Sequence, residues 1–200
     1  MHAFDAIYQR RAIRHFDPTH RFTKEEFDQL IELGMQAPSS FNLQHWRVVN
    51  VTDPDLRKQV RSAAWDQAQV TDASLLFVIT TDIKVWQKNP GYYLRNAPKE
   101  AQGILLPLIA PFYEGKDQLQ RDEAMRSVGL FMQTLMIAAK AMGYDSCPMI
   151  GFDPGKVAEL IHLPADHAIG ALLTIGKRVK DAHQKSGYVD KSTMLIENHF

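Results

Sequence analysis

One cysteine, Cys147, in a chain of 200 residues excludes an internal disulfide, a CxxC redox pair and a thiolate metal site. That usage suits a reducing cytoplasm, and the residue reads as a small buried apolar side chain. An excess of one charge is missing too. Lysine plus arginine and aspartate plus glutamate number 23 each, so there is no global basic field to hold a duplex or an anionic lipid surface. Long hydrophobic runs are absent: the densest, near 75–79 and 104–113, fall well short of the roughly 20 residues that cross a bilayer. The N-terminus lacks the charged-then-apolar pattern of a signal peptide. These absences point to a cytoplasmic protein that has neither nucleic acid nor membrane as a partner.

The familiar catalytic signatures are missing as well. No GxGxxG follows a strand, and there is no GxxxxGK[ST], HExxH or GxSxG. His162 and His167 are five apart with a proline between them, which does not suit two metal ligands on one helix face. Glu25-Glu26 and Asp122-Glu123 sit at helix starts, where the helix dipole accounts for them. No nucleophile, acid–base pair or metal site is expected.

What remains is a chain 45% hydrophobic, enough for one domain spanning 1–200 with a sizeable core. Thr23-Lys24-Glu25-Glu26 reads as a capping box, and the helix behind it closes before Pro38. Trp46–Val51, Leu75–Ile79, Asp145–Phe152 and Ala168–Ile175 read as strands. Asp53-Pro54 and Asp153-Pro154 each pair an N-cap with an N1 proline. Residues 121–142 form the clearest helix, buried on several sides, with Gly143 as its stop. Across 97–113 the prolines at 107 and 111 predict a kinked or broken helix. The tail, 179–200, is polar with scattered apolar residues and has no core of its own.

The richest feature is Arg10-Arg11-Ala12-Ile13-Arg14, with no nearer acids than Asp5 and Asp17. A helix over 4–14 places the three guanidiniums on one side. They form either a solvated basic face or a site for a phosphate-bearing ligand, whose oxygens match the guanidinium fork. Other ligand-holding groups follow in order: Pro38, Ser39, Ser40 and Asn42 in one loop, the Pro148–Gly151 turn, and Lys177-Arg178.

Four segments in register, Arg10–Phe16, Ala37–Trp46, Asp145–Asp153 and Ile175–Arg178, resemble the FMN-dependent nitroreductase family over residues 7 to about 180. The resemblance implies an α+β fold, a central mostly antiparallel sheet wrapped by helices, in an intertwined homodimer with flavins at the interface. It also implies an FMN-dependent oxidoreductase passing hydride from NAD(P)H through the flavin to a nitroaromatic, quinone or similar acceptor by ping-pong kinetics. By the same resemblance, Arg10, Arg11 and Arg14 with Lys177 and Arg178 hold the FMN phosphate and ribityl end. Pro38, Ser39, Ser40 and Asn42 reach the other subunit's flavin. Pro148, Met149, Ile150 and Gly151 lie against one ring face, and Gln67 and Gln69 meet the pyrimidine edge. Residues 179–200 become an extension wrapping the partner subunit. Ala12 stands where many members have serine, and Ile150 where a well-studied branch has glutamate. Flavin fragmentation, reductive dehalogenation and a non-catalytic flavin-binding or redox-sensing role stay open on the same fold. The irregular stretch with Trp86, Tyr92 and Tyr93 and the Phe112-Tyr113 region read equally as acceptor pocket or satellite core.

Overall fold

A computed structural model describes residues 1–200. In chain order the elements are α1 (Ala3–Gln9), α2 (Lys24–Gly34), β1 (Trp46–Asn50), α3 (Pro54–Ala63), α4 (Gln69–Asp72), β2 (Leu75–Asp82), α5 (Pro90–Tyr93), α6 (Lys99–Tyr113), α7 (Asp117–Ala141), β3 (Asp145–Met149), α8 (Pro154–Leu160), β4 (His167–Gly176) and α9 (Lys191–Met194). The four strands form one sheet in the order β1-β2-β4-β3, every pairing antiparallel. This is the α+β architecture expected from the sequence.

β2 is buried along its whole length, and its alternation decides which helices cover which face. Phe77 and Ile79 join Leu173 and Ile175 against Leu30 of α2 and Phe131, Leu135 and Ala139 of α7. Leu76 and Val78 point the other way, onto Val60 and Ala63 of α3 and Val157 of α8, with Cys147 and Met149 beside them. Cys147 is thus a buried apolar filler, and burial raises its thiol pKa against the opposing pull of Arg14.

Local rules set most of the boundaries. The Thr23 hydroxyl accepts from the Glu26 amide and the Glu26 carboxylate accepts from the Thr23 amide, closing the capping box. Asp53 and Asp153 accept from the amides of Leu56 and Lys156, with prolines at N1. Gly143 follows α7 at φ +86°, a left-handed stop that a side chain resists. α6 departs from expectation: it runs unbroken from Lys99 to Tyr113 through both prolines. Pro107 and Pro111 are four apart on the exposed face, as is Gly103, so the carbonyls that lose their helical partners lie next to solvent. β3 stops at Met149 and does not continue to Phe152.

The N-terminal expectation is also corrected. α1 ends at Gln9, and Arg10 to Arg14 are not helical. Instead Ala12 bridges Ser146 in parallel, and the Ile13 amide donates to the Ser146 carbonyl at 3.0 Å. Extended geometry buries Ile13 and Phe16 against Ala73 and leaves the arginines outward. The three arginines still come to one cavity, but from a non-helical segment bridged to β3.

His45 is the one fully buried histidine, with Nδ1 3.1 Å from the Ser127 hydroxyl of α7. Desolvation lowers its pKa to about 4, with Asp82 pulling upward and Arg47 downward. A depressed folded pKa makes the neutral form the native one. Its stabilising contribution is full above the unfolded value near 6.5 and is lost as pH falls from there to about 4. Integrated over that window the loss is on the order of 3 kcal/mol. Urea unfolding at pH 7 and pH 4.5 should show it, and a His45→Gln variant should lose that part of the slope; an unchanged slope would refute the assignment.

Candidate functional site

β3 places Pro148 beside the extended arginine segment, and the two together wall a cavity of about 930 Å³ lined by Arg10, Arg11, Ala12, Arg14 and Pro148. None of the three arginines forms an ion pair with a carboxylate. Arg11 Nη2 donates to the His183 carbonyl, a neutral partner that leaves the charge uncompensated. The one acid on this concave surface, Asp181, is paired with Arg178 at 3.2 Å, so the three guanidiniums constitute an anion site of the kind phosphate fills.

The turn after β3 is held from an unexpected direction. Gln67 donates to the Gly151 carbonyl at 2.7 Å, and Gln69 donates to the Gln67 side-chain oxygen at 3.0 Å and lies 3.7 Å from Met149 sulfur. So Gln67, Gln69, Met149 and Gly151, widely separated in sequence, form one assembly. A Cβ added at Gly151 would lie 3.1 Å from the Trp65 ring and 3.4 Å from Gln67, so any side chain there would press on both. Ile150 next to it is 85% exposed.

Pro38, Ser39, Ser40 and Asn42 lie elsewhere in the protomer. The Ser39 hydroxyl accepts from the Gln44 amide at 2.9 Å, and Asn42 donates to the Tyr93 carbonyl at 2.8 Å. Phe41, Asn42 and Gln44 all have φ near +50°, a conformation costly for a phenylalanine and found where a loop serves a function beyond packing. None of these residues lines the arginine cavity.

Lys177 and Arg178 are close in the fold but turned to other work. Phe16 bridges Arg178, and the Asp17 amide donates to the Lys177 carbonyl. Lys177 Nζ donates to the Gly143 carbonyl and sits 4.1 Å from the Tyr144 ring centre. Arg178 lies 3.2 Å from Asp181 and 3.8 Å from Asp145, which also holds the buried Lys140 at 2.8 Å. Neither lines the cavity, so the structure does not bring these two to the arginine cluster.

Two contributors escaped the sequence reading. Trp65, 69% exposed and left-handed at φ +54°, leans on Gly151; nothing in its local sequence signals that contact. Residues 180–188 of the tail line the arginine cavity, with Lys185 Nζ 3.4 Å from the Tyr8 carbonyl. Their polar composition gave no hint of it.

The aromatic residues divide. Trp86 stacks on Tyr113 at 5.9 Å in a small core with Leu43 and Ile109, whereas Tyr92 and Tyr93 line an apolar cavity of about 520 Å³ with Phe27 and Trp46. Asp82, Asp166 and His167 cluster closely enough to suggest metal ligands, but Lys88 Nζ lies 2.9 Å from Asp82 and 2.5 Å from Asp166 and supplies the cation itself. No helix is long and apolar enough to cross a membrane.

Comparison with known proteins agrees with this geometry. The family model described as "Nitroreductase family" matches residues 7–177. The protein DrgA of Synechocystis sp. is 59% identical over 185 residues, 92% of this chain and 88% of its own. The oxygen-insensitive NADPH nitroreductase of Helicobacter pylori is 28% identical, with 94% of each chain covered. A solved structure of an Exiguobacterium sibiricum protein in complex with FMN superposes with a TM-score of 0.88 at 27% identity, covering 98% of this chain and 97% of that one.

Proposed function

Because the chain belongs to the nitroreductase family, we propose that it is an FMN-dependent oxidoreductase that takes hydride from NAD(P)H and reduces a nitroaromatic, quinone or similar acceptor in a ping-pong cycle. The observation that carries this reading is the convergence of three guanidiniums, none of them in an ion pair, and Pro148 of β3 on one cavity. That donor set fits the cofactor: a phosphate at the arginines, and a flat apolar ring against the Pro148–Gly151 turn.

Arg10, Arg11 and Arg14 would bind the phosphate and ribityl end. Gln67 and Gln69 would meet the pyrimidine edge. When bound, FMN supplies the redox chemistry, accepting hydride at N5 from a nicotinamide and giving electrons to the acceptor. The chain contributes position and electrostatics and needs no nucleophile. Arg14 keeps a fixed positive charge beside the cavity, which lowers the cost of the negative charge that reduction adds. Ile150 presents an apolar surface at the open side, so specificity there rests on shape. We place the protein in the cytoplasm, a reading that rests on its single buried thiol.

In the assembled enzyme, Pro38, Ser39, Ser40 and Asn42 would serve the partner's flavin. Their strained loop and their separation from the arginine cavity of their own protomer support this.

The kinetic test varies NAD(P)H against a quinone or nitroaromatic. Parallel initial-rate lines are expected, because one cavity takes the two substrates in turn; intersecting lines with an isolable ternary complex would overturn the proposal. Ser39→Ala should weaken flavin retention, by the roughly 0.5–1.5 kcal/mol of one hydrogen bond, yet leave turnover intact in the flavin-loaded enzyme. Lost turnover at full flavin occupancy would give that hydroxyl a chemical role and refute its assignment as a binding group.

A further inference from the structure

A second concave surface lies away from the flavin cradle, where the end of β1, the start of α3 and the start of β2 meet. Its volume is about 440 Å³; Arg21, Arg57 and Lys58 line it with Thr52, and no acidic residue does. Lys58 is neutralised by Asp55 at 2.8 Å. Arg21 and Arg57 are in no ion pair.

Arg57 is held rigidly. Its Nε donates to the Val51 carbonyl at 3.0 Å, Nη1 to Ala73 at 2.8 Å and Nη2 to Ser74 at 3.2 Å. Those carbonyls carry partial charge only, and two of the guanidinium's five N–H groups are left over. Arg21 uses Nη1 alone, donating to the carbonyls of Pro18 at 2.6 Å and His20 at 2.8 Å, so its Nε and Nη2 are also unspent. Stapling of the Val51 and Ala73–Ser74 backbone accounts for Arg57 by itself. It does not account for a second guanidinium on the same cavity, or for the lack of any carboxylate between them. Burial and the charge of Arg21 both push the pKa of Arg57 down. One fixed fork, Arg57, and a second beside it, Arg21, both with unspent donors, are the recognition geometry for a tetrahedral oxyanion.

We propose that this cavity binds a phosphate-type dianion between Arg21 and Arg57, at a site that shares no residue with the flavin cradle. The test uses the FMN-saturated full-length enzyme, so that the Arg10–Arg14 cavity is already filled. Inorganic phosphate should raise the unfolding temperature saturably, whereas chloride at matched ionic strength should not. Arg21→Gln, which alters an exposed side chain, should weaken phosphate about tenfold, the loss of one charge-assisted hydrogen bond, while NAD(P)H oxidation stays unchanged. Arg57→Lys, keeping the charge but not the fork, should weaken it comparably. A second arm titrates adenosine 2′,5′-bisphosphate: tighter binding than inorganic phosphate, with the same dependence on Arg21, identifies a nucleotide-borne phosphate, and equal affinity identifies the free anion. Binding that is not saturable, or that is unaltered in Arg21→Gln, would overturn the proposal.

Discussion

Protein purified from its host should be yellow with noncovalently held FMN, and replacing Arg10 and Arg14 with alanine together should strip it. Each charge-assisted hydrogen bond is worth about 1.5–3 kcal/mol, so each single substitution should raise the dissociation constant by roughly ten- to a hundred-fold. The double substitution should approach the product, provided the two arginines grip different phosphate oxygens. Little structural damage is expected, because both side chains face the cavity and neither is in an ion pair, while the backbone is pinned by Ile13 and the Ser146 carbonyl. Fluorescence titration gives the affinities, and riboflavin supplies the control: without phosphate it should bind far more weakly to the native protein and should be nearly indifferent to the substitutions. Equal affinity for FMN and riboflavin would mean that these arginines serve something other than a phosphate.

The arginines also mark how far the sequence could be read. Their convergence on one surface was legible because the absence of nearby acids is a one-dimensional fact. Their backbone was not, since a run such as Arg10 to Arg14 is acceptable in a helix and only the distant Ser146 carbonyl makes extended chain the better choice. The caps at Thr23, Asp53 and Asp153 were readable for the opposite reason: each is completed within three residues. In α6 the prolines were given more weight than they deserved, because solvent on the exposed face satisfies the carbonyls they orphan. Gln67 and Gln69 could be placed near the site only through the family resemblance. Their actual partners, Gly151 and Met149, and the packing of Trp65 over Gly151 depend on contacts that no local pattern encodes.

The tail sets up the other large effect. Along 188–200 the chain displays Tyr188, Val189, Met194, Leu195 and Ile196, all exposed, an arrangement that a lone protomer gains nothing by keeping. β1, meanwhile, lies at the edge of the sheet with an unpaired outer side, a liability that proteins ordinarily cover. A tail crossing to a second copy would resolve both and enlarge the interface into the range above roughly 2,000 Å² typical of obligate dimers. Two truncations separate its roles. Deleting 189–200 removes the apolar portion and should shift the sedimentation profile from dimer to monomer. Deleting 181–200 also removes the segment over the arginine cavity, including the His183 carbonyl that Arg11 contacts, and should weaken FMN beyond what loss of the dimer causes. In the intact protein FMN should raise the unfolding temperature with concentration, equivalent to about 2.7 kcal/mol at a hundredfold excess over the dissociation constant. If the Pro38–Asn42 loop completes the partner's site, no monomer can hold the cofactor well. Equilibrium dialysis at nanomolar protein decides the matter, for a native or truncated monomer that keeps FMN at full affinity would make each site the property of one chain.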